Sequence, residues 1–352
     1  MELRKSVLFF LCCLLSFTAC STIDDDLSDC PPDIPVPEEE EQEFETDYEL
    51  RLVTNMMTQM ETKLTTQTDL LLADALRQHL STIFTDYAHD VDLSFYETAG
   101  DSVRLHHDQH IMDANQASYT LHLPMREYMH LATANIADNH QVSLTNDEHC
   151  HPAMLQQESG ETVDSHTTGL FTARQEMNVM EGVNQTFNVH LYMANCAAVL
   201  VIDPQGHDDY QTKVYTTGFA TGYNICDSTY VYADQAPLVR TDLVDDNGSG
   251  LLGFCSVSFP SKEPMRTVIE TEEPFIAQEG ETALWEFRIY VTQPDGEVTE
   301  TVLFYKKPLR AGQLEILKAK MQDDGSVTTT ATEVGVSVTL DWKEGGQHDI
   351  SF

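Results

Sequence analysis

The chain has 352 residues, with 58 acidic against 19 basic side chains and a net charge of −39. That balance repels phosphate and anionic headgroups, so it excludes nucleic-acid binding by phosphate neutralisation. An apolar content of 41% excludes general disorder, and at about 150 residues per domain the length suggests two domains.

Residues 1–19 read MELRKSVLFFLCCLLSFTA: a positive start at Arg4 and Lys5, an apolar run from Ser6 to Phe17, then small residues. This is the three-part design of a secretory signal, and its apolar run is too short to span a bilayer. The cut falls before Cys20. Phe17-Thr18-Ala19-Cys20 resembles a bacterial lipobox, with Phe17 where Leu is usual. The expectation is a covalent lipid (palmitate and related chains) on the Cys20 thiol. More than one acyl chain is needed for stable anchoring, at roughly 0.8 kcal/mol per buried methylene. Residues 20–43 then form an acidic, Pro-rich tether, with Asp24-Asp25-Asp26, Pro31, Pro32, Pro35, Pro37 and Glu38 to Glu41. Proline and like charges keep such a segment extended.

From Phe44 the pattern becomes structural. Phe44, Thr46, Tyr48, Leu50 and Leu52 alternate with polar residues, which predicts a half-buried strand. Leu72, Leu76, Leu80, Ile83 and Tyr87 recur at helical spacing, with Asp69 near the start. They predict a helix of four to five turns inserted early in the first domain. Strands resume at Val91, Leu93 and Phe95, at Tyr119, Leu121 and Leu123, and at Phe187, Val189, Leu191 and Met193. Ala197 to Ile202 is continuously apolar, as expected for a strand covered on both faces. The domain boundary is placed near Asn195, giving 44–195 and 196–352.

The second half reads as all-β. Trp285, Phe287, Ile289 and Val291 alternate up to the turn Gln293-Pro294-Asp295-Gly296, and Val298 to Tyr305 returns as a hairpin. Leu314 to Ala319 leads to a turn at Asp323-Asp324-Gly325. Val334, Val336, Val338, Leu340 and Trp342 alternate strictly, and Glu344-Gly345-Gly346 turns the chain into a closing segment, His348 to Phe352. The fold class expected is mainly β, built from β-sandwiches.

Eight of the fourteen histidines lie between residues 106 and 151, densest in His106-His107-Asp108-Gln109-His110 and His149-Cys150-His151. Imidazole and thiolate suit zinc. No HExxH is present, however, and HHDQH reads as a loop without a rigid face, so the expectation is no metal site. Asp245 to Gly250 begins like a calcium loop, but Ser256 stands where a bidentate Glu is required, so a turn is expected. Cys30, Cys150, Cys196, Cys226 and Cys255 follow Cys20 without a CxxC pair, and their disulfide pairing is left open. No nucleophile elbow, phosphate-binding glycine loop or dinucleotide fingerprint appears. The chain therefore reads as non-enzymatic, with no cofactor beyond the lipid.

Five stretches carry a resemblance: Asp26-Leu-Ser-Asp-Cys30-Pro-Pro; Gly169-Leu-Phe-Thr-Ala-Arg174, followed by Phe187-Asn-Val-His-Leu-Tyr-Met193; and Leu309-Arg-Ala-Gly-Gln-Leu314, leading to Val334 to Trp342. In this order the sequence resembles the FimB-type fimbrial anchor lipoproteins of Bacteroidetes. The resemblance implies two tandem β-sandwiches of transthyretin-like topology. It also implies an outer-membrane location at the fimbrium base, lipidation at Cys20, and partnership with pilin subunits through strand exchange that holds the fimbrium and limits its length. Phe44 to Thr54 is one candidate for the exchanged strand, with an ordinary edge strand as the alternative. Rival readings are a glycan-binding surface lipoprotein, which needs an exposed aromatic platform, and a metal-dependent hydrolase using the His-rich region.

Overall fold

A computed structural model describes residues 43–64, 70–85, 87–111, 118–137, 139–244, 248–262, 284–332 and 334–340. The signal, Cys20, Cys30, most of the tether, Asp69, Asp245 to Asn247, Trp342 and the closing segment lie outside the described residues.

The chain enters through β1 (Glu43–Val53) and then a helical insertion: α1 (Met56–Gln59), a π-helical turn (Met60–Leu64) and α2 (Leu70–Ile83). Nine strands follow: β2 (Asp90–Glu97), β3 (Arg104–Ile111), β4 (Ser118–Pro124), β5 (Glu127–Ala134), β6 (Val142–Thr145), β7 (Met154–Gln157), β8 (Thr162–Asp164), β9 (Phe171–Asn178) and β10 (Thr186–Met193). Beyond Asn195 run β11 (Cys196–Asp203), β12 (Gln211–Thr217), β13 (Gly222–Asn224), β14 (Thr229–Val231), β15 (Leu238–Arg240), β16 (Asp242–Val244) and β17 (Leu252–Ser258). The last strands are β18 (Trp285–Thr292), β19 (Val298–Tyr305), β20 (Leu314–Met321), β21 (Val327–Thr328) and β22 (Val334–Leu340).

These strands make four sheets, of order β3-β2-β5-β9-β10-β1-β4, β16-β17-β11-β20-β21, β22-β19-β18-β12-β15-β8 and β14-β13-β7-β6. The protein is mainly β, with sheets packed face to face as in a β-sandwich. The five-stranded sheet is a shared layer. β11 is buried on both faces, as its unbroken apolar run predicts. Ala197, Val199 and Val201 join one core with Tyr48, Phe95, Phe171 and the helix residues Leu72, Leu76 and Leu80. Cys196, Ala198, Leu200 and Ile202 join a second core with Trp285, Phe287, Ile289 and Tyr305. A third, smaller core lies between the four-stranded sheet and Tyr96, Leu131 and Phe259.

Helix α2 forms because four apolar residues three and four apart make one stripe, and Leu72, Leu76, Leu80 and Ile83 are all buried. Each Leu so buried contributes about 2 kcal/mol. The helix ends where Gly169 N–H donates to Ile83 O at 2.8 Å, satisfying a terminal carbonyl from outside. Two glycines let it dock. A Cβ on Gly253 of β17 would lie 2.8 Å from Leu72 Cδ1, and one on Gly169 would lie 2.9 Å from Phe84 Cδ1.

The structure corrects three expectations. Tyr87 lies beyond the helix and is exposed, because the chain leaves helical geometry at Phe84. The HHDQH stretch is not a loop but most of β3, paired with β2 along its length. Finally, β1 is not an edge: it runs parallel to β10 and antiparallel to β4, hydrogen-bonded on both sides. The helical segment Met56–Leu64 carries no clear stripe and went unpredicted. It is fixed by tertiary bonds, with Gln59 donating to Gly312 O at 2.7 Å and accepting from Leu314 N–H at 3.1 Å.

Candidate functional site

The one residue assigned a role from sequence, Cys20, lies outside the described residues, so the folded body supplies its own candidates. Among the described residues no helix is long and apolar enough to cross a membrane.

Sheet edges are the first candidates, because an edge presents unpaired N–H and C=O groups. Most edges here are short: β8, β14, β16 and β21 have two or three residues. The long ones are β3, β4 and β22. β3 is blunted by charge, carrying Arg104, Asp108 and three histidines. β4 ends in Pro124 at the rim of its sheet. β22 is different. Its sequence VGVSVTL has no charge, it pairs with β19 from Val334 to Leu340, and Val336 and Val338 are each 40% exposed. Among the described residues its other side has no strand partner. A long, uncharged edge with apolar side chains is the form that accepts an added strand.

The His-rich region is dispersed by the fold. His107 Nε2 and Gln109 Nε2 both reach Asp92 Oδ2, at 2.9 and 2.7 Å, and Asn146 Nδ2 donates to Asp92 Oδ1 at 2.5 Å. Asp92 is buried, and these three partners satisfy its carboxylate oxygens. His106 pairs with Asp108 at 2.7 Å. His122 faces solvent on β4, between the buried Leu121 and Leu123. His130 lies fully buried on β5, its ring stacked on Phe95 at 4.3 Å. Its Nδ1 contacts Ser94 O at 3.1 Å and its Nε2 the Tyr48 hydroxyl at 2.5 Å. Burial holds its imidazole down at about 4, well below the usual value. His149 turns to Asp101 O at 3.0 Å.

What the fold does bring together is His151, Cys226 and Asp227, whose ligating atoms all lie within 4.8 Å of one another. No sequence motif marks them, because Cys226 is 75 residues from His151. The described cysteines, Cys150, Cys196, Cys226 and Cys255, are buried free thiols.

A cavity of about 480 Å³ is lined by Glu161, Pro237, Trp285, Glu286 and Arg288. It offers no aromatic platform for a sugar at Trp285. That ring is 1% exposed, stacks on Tyr305 at 3.9 Å and donates through Nε1 to Lys307 O at 3.0 Å. Arg288 is held by Glu286 at 2.7 Å.

No family model and no curated protein matches the sequence. Among solved structures, the fimbrial anchor protein Mfa2 from Porphyromonas gingivalis is similar at 11% identity and a TM-score of 0.45, over 84% of this chain and 99% of that one. A candidate polysaccharide-binding protein from Bacteroides thetaiotaomicron is similar at 10% identity and a TM-score of 0.48, over 82% and 99%. The tip fimbrial protein Mfa3 from Porphyromonas gingivalis, with a C-terminal truncation, gives 13% and 0.37, over 73% and 95%. By name, the structural neighbours are Bacteroidetes adhesion proteins and fimbrial anchor and tip proteins. At such identities no residue role is carried across.

Proposed function

We propose that this chain is a non-enzymatic structural subunit of a surface fimbrium, tied to the outer membrane by a lipid on Cys20. The observation that carries the reading is the run from apolar segment to Phe17-Thr18-Ala19-Cys20 to acidic, proline-rich tether, set before a large β body. The lipid supplies membrane affinity that a chain of net charge −39 would otherwise lack. The tether supplies reach. The partner is a pilin, and β22 is the edge along which its strand would pair, main-chain bonds giving affinity and Val336 and Val338 giving side-chain contact. Strand β1, bonded on both sides, is the poorer candidate for exchange. Occupying the first pilin in this way would hold the polymer at its base and limit its length.

The test is Cys20→Ala, followed by membrane fractionation and imaging of fimbriae. The expected outcome is release of the protein into the medium, with fimbriae shed or abnormally long. Full retention of the variant in the outer membrane would refute the anchor.

A further inference from the structure

Antiparallel pairing of β7 with β13 sets Gly222 opposite Gln156, Tyr223 opposite Leu155 and Asn224 opposite Met154. Carried past the strand ends, the same register brings the turn after β13 against the segment before β7. Ile225 N–H donates to Ala153 O at 2.9 Å, and Asn224 Nδ2 donates to His151 O at 2.8 Å. Asn224 Oδ1 accepts from Asp227 N–H at 2.8 Å and fixes the turn. Two distant segments are thereby laced together, one bringing Cys150-His151 and the other Cys226-Asp227.

We propose that His151, Cys226 and Asp227, with the Cys150 thiol behind them, form a binding site for a zinc-class divalent cation. The site is independent of the anchoring function. His151 Nδ1 lies 3.9 Å from Cys226 Sγ and 4.0 Å from Asp227 Oδ1. A tetrahedral zinc ion with bonds of about 2.0–2.3 Å holds its ligand atoms roughly 3.3–3.7 Å apart, so these two pairs need close by a few tenths of an ångström and the set as a whole, within 4.8 Å, by roughly an ångström. The donor set decides the metal class. Thiolate and imidazole favour zinc, whereas calcium and magnesium take oxygen ligands. The placement is also that of an accessible site with a fixed floor. Cys226 and Cys150 are buried, while the His151 and Asp227 side chains are 73% and 57% exposed and able to swing in. Cys150 is buried next to His151 in the chain but is not among the ligand atoms gathered within 4.8 Å, so water fills the fourth position. On binding, the Cys226 sulfur exchanges its proton, released to solvent, for the bond to the metal. Neutral His151 offers its Nδ1 lone pair, and Asp227 a carboxylate oxygen. The ion would cross-link the β6–β7 and β13–β14 hairpins at one end of the four-stranded sheet, at the margin of the third core, to which Cys150 and Cys226 belong.

The experiment uses the full-length chain in detergent, reduced and stripped of metal, titrated with Zn²⁺ alone. Metal content is measured after desalting, and Co²⁺ is used as the spectroscopic probe. The expected result is one equivalent per chain, with a thiolate-to-cobalt charge-transfer band. Cys226→Ser should weaken binding at least about 100-fold and abolish the band, His151→Ala should weaken it comparably, and Asp227→Asn by roughly 10-fold. Cys255→Ser and His149→Ala should bind as the parent does. His151 and Asp227 are exposed, so their variants keep the test decisive even where Cys226→Ser disturbs folding. No uptake by the parent chain, unchanged affinity in these variants, or a Cys150–Cys226 disulfide found by thiol counting in protein taken from cells would each overturn the proposal.

Discussion

Two histidines in this protein are held in the neutral form by burial alone. His166 is fully buried against Phe259, at 4.9 Å between ring centres, and among the described residues neither ring nitrogen has a hydrogen-bond partner. Its protonation is pushed down to about 3, and that of His130 to about 4, in both cases by desolvation. The unfolded chain takes up these protons near pH 6.5, whereas the folded chain refuses them until far lower. The stability tied to the neutral rings is therefore whole above pH 6.5 and is lost as pH falls from 6.5 towards 4. Between pH 7.5 and 5 the loss is roughly 2 kcal/mol per histidine. Urea unfolding at the two pH values checks this. His166→Leu should flatten the pH dependence by about that amount and raise stability at pH 7.5, since two unsatisfied buried nitrogens are removed. An unchanged slope would mean that the ring is hydrated or paired in solution. The burial of His130 was legible in part: it shares a face with Tyr128, Ala132 and Ala134, all core residues of β5. His166 lies outside any strand, so no periodicity marked it.

Among elements, α2 shows what one sequence discloses and what it withholds. Its stripe from Leu72 to Ile83 was legible, because helix geometry depends on residues three and four apart, but its end was not, since Tyr87 continues the spacing beyond the last turn. Its docking site was not, because Gly253 lies on a strand far along the chain and a glycine in a strand has several causes. Strand β1 is similar. Its alternation was readable, but its central place rests on a parallel pairing with β10, set by Asp47 opposite Thr186, which no local pattern encodes. The expected loop at residues 106–110 was lost to composition: histidine and aspartate hid a strand whose partner β2 supplies the regularity. The Gly253–Leu72 contact gives a direct test. Gly253→Ala should destabilise by about 1–3 kcal/mol through overpacking. Leu72→Ala should cost about 2–5 kcal/mol through the cavity it leaves. The double variant should be clearly more stable than the sum of the two implies, because the new methyl enters the space the leucine vacated. Strict additivity in chemical denaturation would show that helix and strand do not meet there.

At the scale of the whole molecule, the question is whether the two large cores act separately or as one. They share a wall. Val199 faces the core with α2 and Tyr48, and its neighbour Leu200 faces the core with Trp285. β20 belongs to the same sheet and likewise gives Leu314 and Ile316 to one core and Leu317 and Ala319 to the other. Gln59 then ties the helical insertion to the entry of β20 through two hydrogen bonds. A shared layer cannot lose one face and remain ordered on the other, so thermal unfolding is expected to be one cooperative transition. Val199→Ala should therefore lower the melting temperature reported by Trp285 fluorescence, although that ring lies in the opposite core; Leu200→Ala should lower the transition seen by far-UV circular dichroism to the same midpoint as its fluorescence. Independent bodies would instead show two steps, with Val199→Ala moving only the one that Trp285 does not report. The distinction bears on the proposed function, because a subunit anchored as proposed would be pulled between its membrane tether and its pilin. With β22 bonded to β19 at the far side of the six-stranded sheet, the pull would pass through both cores in series, and a common middle layer makes the resistance of one the resistance of both.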